Sequence, residues 1–174
     1  MFSKNDYIIY GSTGVCEVKD ICTLKDAPGG KLYYKLMPVF EKCVIMVPTD
    51  TKIFMRHIIS KEEALELISK LPLMEISLPE IQNSRQLKEY YKTTFTFHTC
   101  EELGLIIKTI YTKINSQTTS GKKPCQTDLK YIKKAEELLY GELSVALGIP
   151  YDSVPGFIEK TISDTESENM CQCG

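Results

Sequence analysis

The chain has no tryptophan and only two histidines, His57 and His98, among its 174 residues. Neither histidine sits beside a paired-carboxylate pattern, and general acid–base or nucleophilic catalysis needs a base and a partner group that converge. The composition therefore reads against an enzyme. No run approaches the roughly 20 apolar residues needed to cross a bilayer. The start, Met-Phe-Ser-Lys-Asn-Asp, lacks a charged-then-apolar secretion pattern, so a cytoplasmic protein without a membrane association is expected. The seven cysteines, at 16, 22, 43, 100, 125, 171 and 173, are odd in number and contain no Cys-x-x-Cys pair. They read as reduced thiols, with no metal and no cofactor, and Cys171-x-Cys173 reads as an inert tail.

A phosphate-binding loop is missing as well, although glycines are present where one would begin. The stretch Tyr7 to Val18 runs Tyr-Ile-Ile-Tyr, Gly-Ser-Thr-Gly, Val-Cys-Glu-Val. Its outer blocks are β-branched and aromatic, and no Lys-Ser or Lys-Thr pair opening a helix follows the glycines. A β-hairpin is the reading. Further strands are predicted at Val15–Ile21, Leu32–Val39, Lys42–Val47 (closed by Pro48) and Lys52–Met55, with a turn at Asp26-Ala27-Pro28-Gly29-Gly30. Short antiparallel strands at this spacing curl into a small barrel. Any edge left unpaired can accept a partner's strand.

The period changes at Ser60-Lys61-Glu62-Glu63, a capping box whose serine oxygen and Glu63 carboxylate satisfy exposed first-turn donors. Ala64, Leu65, Ile68 and Leu71 then recur at helical spacing until Pro72. A second helix from Pro79 would carry Arg85, Lys88 and Lys92 on one face, at spacings of three and four. Thr99-Cys100-Glu101-Glu102 repeats the capping logic for a helix whose apolar face ends at Ile114. The polar stretch from Asn115 to Pro124 reads as a loop. Thr127 is the expected cap of the longest helix, stopped by Gly148 and Pro150, and a last helix is expected from Ser153 to about Ile162. The fold class is thus α+β: about five antiparallel strands in residues 1–59, about five helices in 60–162, and a flexible acidic tail from 163 to 174.

Formal net charge is −2, yet charge is segregated. From Arg85 to Lys134 ten basic residues face four acidic ones, whereas from Tyr151 onward five acidic residues face one lysine. A basic middle is masked by an acidic end, and a basic face of this kind either neutralises phosphates or is merely solvated.

Several stretches taken together resemble the CarD/CdnL family of bacterial transcription regulators. They are Phe2 with Asp6 to Tyr10, Gly14 to Val18, Ile45 to Pro48, Arg56 to Ser60, and the run Ala135, Leu138, Leu139, Glu142, Leu143, Ser144, Ala146. The resemblance implies a Tudor-like β-barrel that docks on the β subunit of RNA polymerase, followed by a helical domain that touches upstream promoter DNA. It also implies modulation of open-complex formation without a catalytic site, and a monomer is expected. Carried over, the polymerase contact falls on Val44, Met46 and Pro48, with Thr23 and Lys25 on the strand expected to face them; Met46 reads equally well as barrel core. The DNA contact falls on Arg85, Lys88 and Lys130, with Asn83 at the neighbouring wedge position, and the basic helix faces add Lys92 and Lys134 to it. Many relatives carry a tryptophan wedge where this chain has Asn83, and a basic residue where it has Leu129. Tyr90, Tyr91 and Phe95 read as core at helical spacing. An RNA- or peptide-binding β module unrelated to polymerase is the other reading. It would need a row of exposed aromatics, and the adjacent Tyr33 and Tyr34 must point to opposite faces.

Overall fold

The computed structural model describes residues 1–23, 30–75, 84–121 and 123–171. The chain divides into two compact units, Met1–Ile58 and Ile59–Gly174, and the architecture is α+β. The first unit is an antiparallel sheet of β1 (Tyr7–Tyr10), β2 (Gly14–Thr23), β3 (Leu32–Pro38), β4 (Ile45–Pro48) and β5 (Met55–His57). Strand order is β4-β3-β2-β1-β5, so β4 and β5 are its two ends. The β1–β2 connection is a single 3-10 turn, Gly11–Thr13, and it closes at Gly14 with φ +91° and ψ −145°, a conformation open essentially only to glycine.

Alternation sorts the side chains. Ile8, Cys16, Val18, Tyr34, Leu36 and Val47 form the core of this unit. Tyr34 is 2% exposed whereas its neighbour Tyr33 is half-buried, so the two rings do part to opposite faces and make no stacking row. Burial at the Cys16 core position pushes its thiol up to about 12. The second strand runs two residues further than the expected Ile21 and the third stops at Pro38 instead of Val39, and the last two strands differ more. β4 begins at Ile45 rather than Lys42 and includes Pro48, because an edge strand tolerates proline where its missing N–H would face outward. The fifth strand is Met55–His57 rather than Lys52–Met55, set by pairing with Ile8, Ile9 and Tyr10.

The second unit holds α1 (Lys61–Lys70), α2 (Ser84–Thr96), α3 (Cys100–Thr119), α4 (Gln126–Leu147) and α5 (Val154–Cys171). Both predicted capping boxes form. Ser60 Oγ accepts from Glu63 N–H at 3.2 Å while Ser60 N–H donates to the Glu63 carboxylate at 2.7 Å, and Thr99 and Glu102 do the same at 3.2 and 2.8 Å. Leu67, Ile68, Leu103, Ile106, Ile110, Leu138, Leu139 and Leu143 are among the residues of one continuous core. α3 runs on to Thr119, through residues that read as loop. Thr118, Thr119 and Ser120 donate their hydroxyls to the carbonyls of Ile114, Asn115 and Ser116 at 2.9 Å each, which absorbs their polarity within the helix. Cys125, not Thr127, occupies the N-cap of α4, and α5 continues through 163–171 where a loose tail was expected.

Three polar groups, two of them buried, brace the helical unit. Lys113 of α3 meets Asp128 of α4, which is fully buried, at 2.6 Å. Lys108 donates to the carbonyls of Leu71, Pro72 and Met74 at 3.3, 2.7 and 2.6 Å, which satisfies acceptors at and beyond the C-terminal end of α1. The buried Glu142 carboxylate accepts the Ile59 N–H at 3.0 Å.

A candidate docking edge and a basic helical surface

β4 pairs with β3 through Tyr33–Pro48, Tyr34–Val47, Lys35–Met46 and Leu36–Ile45. The Thr49 N–H donates to the Leu32 carbonyl at 3.0 Å, which marks residue 49 as a hydrogen-bonded position of this antiparallel ladder. Hydrogen-bonded positions alternate with outward ones, so Val47 and Ile45 bond to β3 while the N–H and carbonyl of Met46 point away from it. Among the described residues no strand lies on that outer side. Pro48 falls on an outward position too, where its lack of an N–H costs the sheet nothing.

Side chains follow the same parity. Val47 is 3% exposed in the core and Ile45 packs against it, which puts Met46 and Pro48, both half-buried, on the opposite face. Met46 is thus not a core residue. Across that face the register sets Tyr33 beside Pro48 and Lys35 beside Met46, and Val44, 52% exposed, lies one step beyond the Leu36–Ile45 pair. Thr23 is not the neighbour it was expected to be. It pairs with Leu32, so the strand that flanks β4 is β3, and Thr23 stands one strand further from the edge. Lys25 lies outside the described residues.

Sequence reasoning missed the apolar end of this edge. Val39 and Phe40, 39% and 52% exposed, follow β3 directly; the sequence reading ends the third strand at Val39 and gives Phe40 no role. With Tyr7, Glu17, Met37, Pro38, Glu41, Lys42, Cys43 and Val44, Val39 lines a cleft of about 520 Å³. The only sequence signal was the Glu-Lys-Cys step at 41–43, too polar to continue the strand.

In the helical unit Arg85, Lys88 and Lys92 are all exposed along α2. Lys130 and Lys133 of α4 are exposed as well, whereas Lys134 reaches Glu137 at 3.7 Å. α2 meets α4 through rings: Tyr91 lies 4.5 Å and Phe95 5.8 Å from Tyr131, centroid to centroid. Lys92 follows Tyr91 and Lys130 precedes Tyr131 in sequence, so one aromatic seam carries a basic residue on each helix. Tyr91 and Phe95 are core residues, 2% and 6% exposed; burial, then the nearby Asp128 carboxylate, raises the Tyr91 phenol well above its usual range. The charge excess read from the sequence is reduced here. Lys108 is committed to half-buried carbonyls and Lys113 to the buried Asp128, and Lys133 lies in a groove with Glu136, Glu137 and Asp152. Asn83 and Lys122 lie outside the described residues.

Cys16, Cys22, Cys43, Cys100 and Cys125 stand outside any disulfide. The exposed Cys125 has its thiol pKa lowered, chiefly by the Thr127 N–H and hydroxyl in the first turn of α4. Among the described residues no group of three or more His, Cys, Asp or Glu side chains is placed to hold a metal ion, and no helix is long and apolar enough to cross a membrane. Residues 2–59, which are the β unit, match the family model of the CarD-like/TRCF RID domain. This identifies the unit as a CarD-like RNA polymerase-interacting domain and supports a role in transcription. No curated protein matches the chain.

Proposed function

With a CarD-like/TRCF RID domain at residues 2–59 as the premise, we propose that this chain is a non-enzymatic adaptor between RNA polymerase and promoter DNA. The β unit adds its β4 edge to a strand of the polymerase β subunit, and the helical unit lays its basic surface on upstream promoter DNA, modulating open-complex formation. The observation that carries this reading is the outward N–H and carbonyl of Met46 on an unpaired edge, flanked by the side chains of Val44, Met46 and Pro48. Main-chain bonds to such an edge supply affinity, and neighbouring side chains supply selectivity.

The DNA contact is electrostatic. Arg85, Lys88, Lys92 and Lys130 neutralise phosphates and release counterions, which holds the duplex without reading its sequence. The rings of Tyr91 and Phe95 are taken up by the core, so neither serves as a wedge between base pairs. Affinity of the purified chain for RNA polymerase, measured with Met46→Pro, tests the docking. Proline at an outward edge position leaves the internal ladder intact but removes the one outward amide donor, so binding should be lost without unfolding. Wild-type binding by a folded Met46→Pro chain would refute strand addition at β4.

A further inference from the structure

The groove that holds Lys133 is acidic and aromatic at once. Lys133, Glu136, Glu137 and Tyr140 share one side of α4 at spacings of three and four, and Tyr151 and Asp152 close the groove from the 3-10 turn Tyr151–Ser153 that leads into α5. The space between them is about 440 Å³. Three carboxylates line it against the one ammonium of Lys133. Lys134 reaches Glu137 at 3.7 Å and Glu159 adds its charge near Tyr140, so four carboxylates face two ammonium groups and the groove stays negative. Glu136 accepts the Tyr111 hydroxyl at 2.8 Å, a bond that leaves its charge in place. The Tyr140 and Tyr151 rings, both half-buried, stand 6.4 Å apart at 63°. Their phenols register the same field: burial raises both, and then Glu136 and Glu159 raise Tyr140 while Glu137, Glu136 and Asp152 raise Tyr151.

Excess negative charge repels phosphate, so a duplex held by Lys88, Lys92 and Lys130 does not extend into this groove. Carboxylates beside flat rings suit a guanidinium, whose plane stacks on an aromatic face while its fork of N–H groups donates to carboxylate oxygens. We propose that the groove seats an arginine side chain of RNA polymerase, as a second protein contact made by the helical unit. The inference rests on polymerase binding by the β unit. The units are consecutive in the chain, Met1–Ile58 and Ile59–Gly174, so polymerase held by the first stands at high effective concentration for the second. A contact too weak to hold alone then lengthens the life of the complex.

The test measures binding of the full chain to immobilised RNA polymerase core enzyme, at low and high salt, and to duplex DNA alone. Glu136→Gln with Asp152→Asn removes two charges while Gln keeps an acceptor for Tyr111; Tyr151→Leu removes a ring and leaves every charge, and Tyr151→Phe keeps the ring. The double variant and Tyr151→Leu should each bind polymerase about fivefold more weakly at low salt, the deficit of the double variant shrinking at high salt, and Tyr151→Phe should stay within about twofold of wild type. Duplex binding should not fall in any of them. Thermal melting checks each variant, and Asp152→Lys, at an exposed turn position, keeps the test open if another fails to fold. Polymerase binding within about twofold of wild type by the carboxylate variants, or a loss in them that Tyr151→Leu does not share, overturns the arginine seat. A loss confined to duplex binding would assign the groove to DNA and overturn it too. Met46→Pro, run alongside, separates the two readings. Its loss of binding beside unaffected groove variants leaves strand docking standing alone, and its wild-type binding beside weakened groove variants removes strand docking and leaves the groove.

Discussion

Asp128 is fully buried at the start of α4, and among the described residues it is Lys113 that brings it an opposite charge. Lys113→Met should therefore destabilise the helical unit by about 3–5 kcal/mol, whereas adding Asp128→Leu should recover most of that loss, because an unpaired buried charge costs more than a pair replaced by apolar groups. Urea melts of the two variants check it; equal destabilisation in both would overturn it. Thiols separate by environment in the same way. Cys125 has a lowered pKa and is exposed, while burial holds Cys16 at about 12, so at neutral pH Cys125 should alkylate much faster than Cys16 in the folded chain. A time course of iodoacetamide labelling read by mass spectrometry would show this order, and faster labelling of Cys16 would contradict the fold around β2.

At the scale of elements, β4 and α1 give opposite lessons about reading a sequence. The α1 start was legible because a capping box is a local code: Ser60 and Glu63 need only each other's backbone. Those bonds hold the Glu63 carboxyl below its usual 4.5, so its contribution is complete above that pH and is lost as pH falls through the lowered value. The melting temperature of wild type should accordingly exceed that of Glu63→Gln near neutrality, and the gap should close in acid. A gap that persists below the lowered pKa would rule this out. β4 was not legible in the same way. Its four residues Ile-Met-Val-Pro show parity but not which parity faces the core, and only pairing with Tyr34 and Leu36 decides it. Val47→Pro, which removes a ladder bond, should unfold the β unit, while Met46→Pro should leave its melting temperature within a few degrees of wild type. Circular dichroism melts distinguish the two.

For the whole molecule, the proposed adaptor separates two affinities that can be tuned independently. Replacing Lys88, Lys92 and Lys130 by alanine should weaken binding to duplex DNA at every sequence and reduce the salt slope by about one for each lysine in contact with phosphate, while polymerase affinity is unchanged. Fluorescence anisotropy with unrelated duplexes, beside the polymerase assay, measures both; an unchanged salt slope would remove the basic surface from the DNA contact.

The sequence alone determined the order of strands then helices, both capping boxes, the Gly148 stop and the segregation of charge, because each rests on residues within a few positions of one another. It could not decide where polarity would be absorbed. α3 continues through a serine- and threonine-rich stretch because those hydroxyls bond back to its own carbonyls, and two lysines of the basic middle are taken up by half-buried carbonyls and a buried carboxylate. The exposed apolar end of β4, the standing of Met46 outside the core and the displacement of Thr23 from the edge were decided only by tertiary structure. Which side of a strand is covered depends on partners distant in sequence, and a period of two cannot say which half is inside.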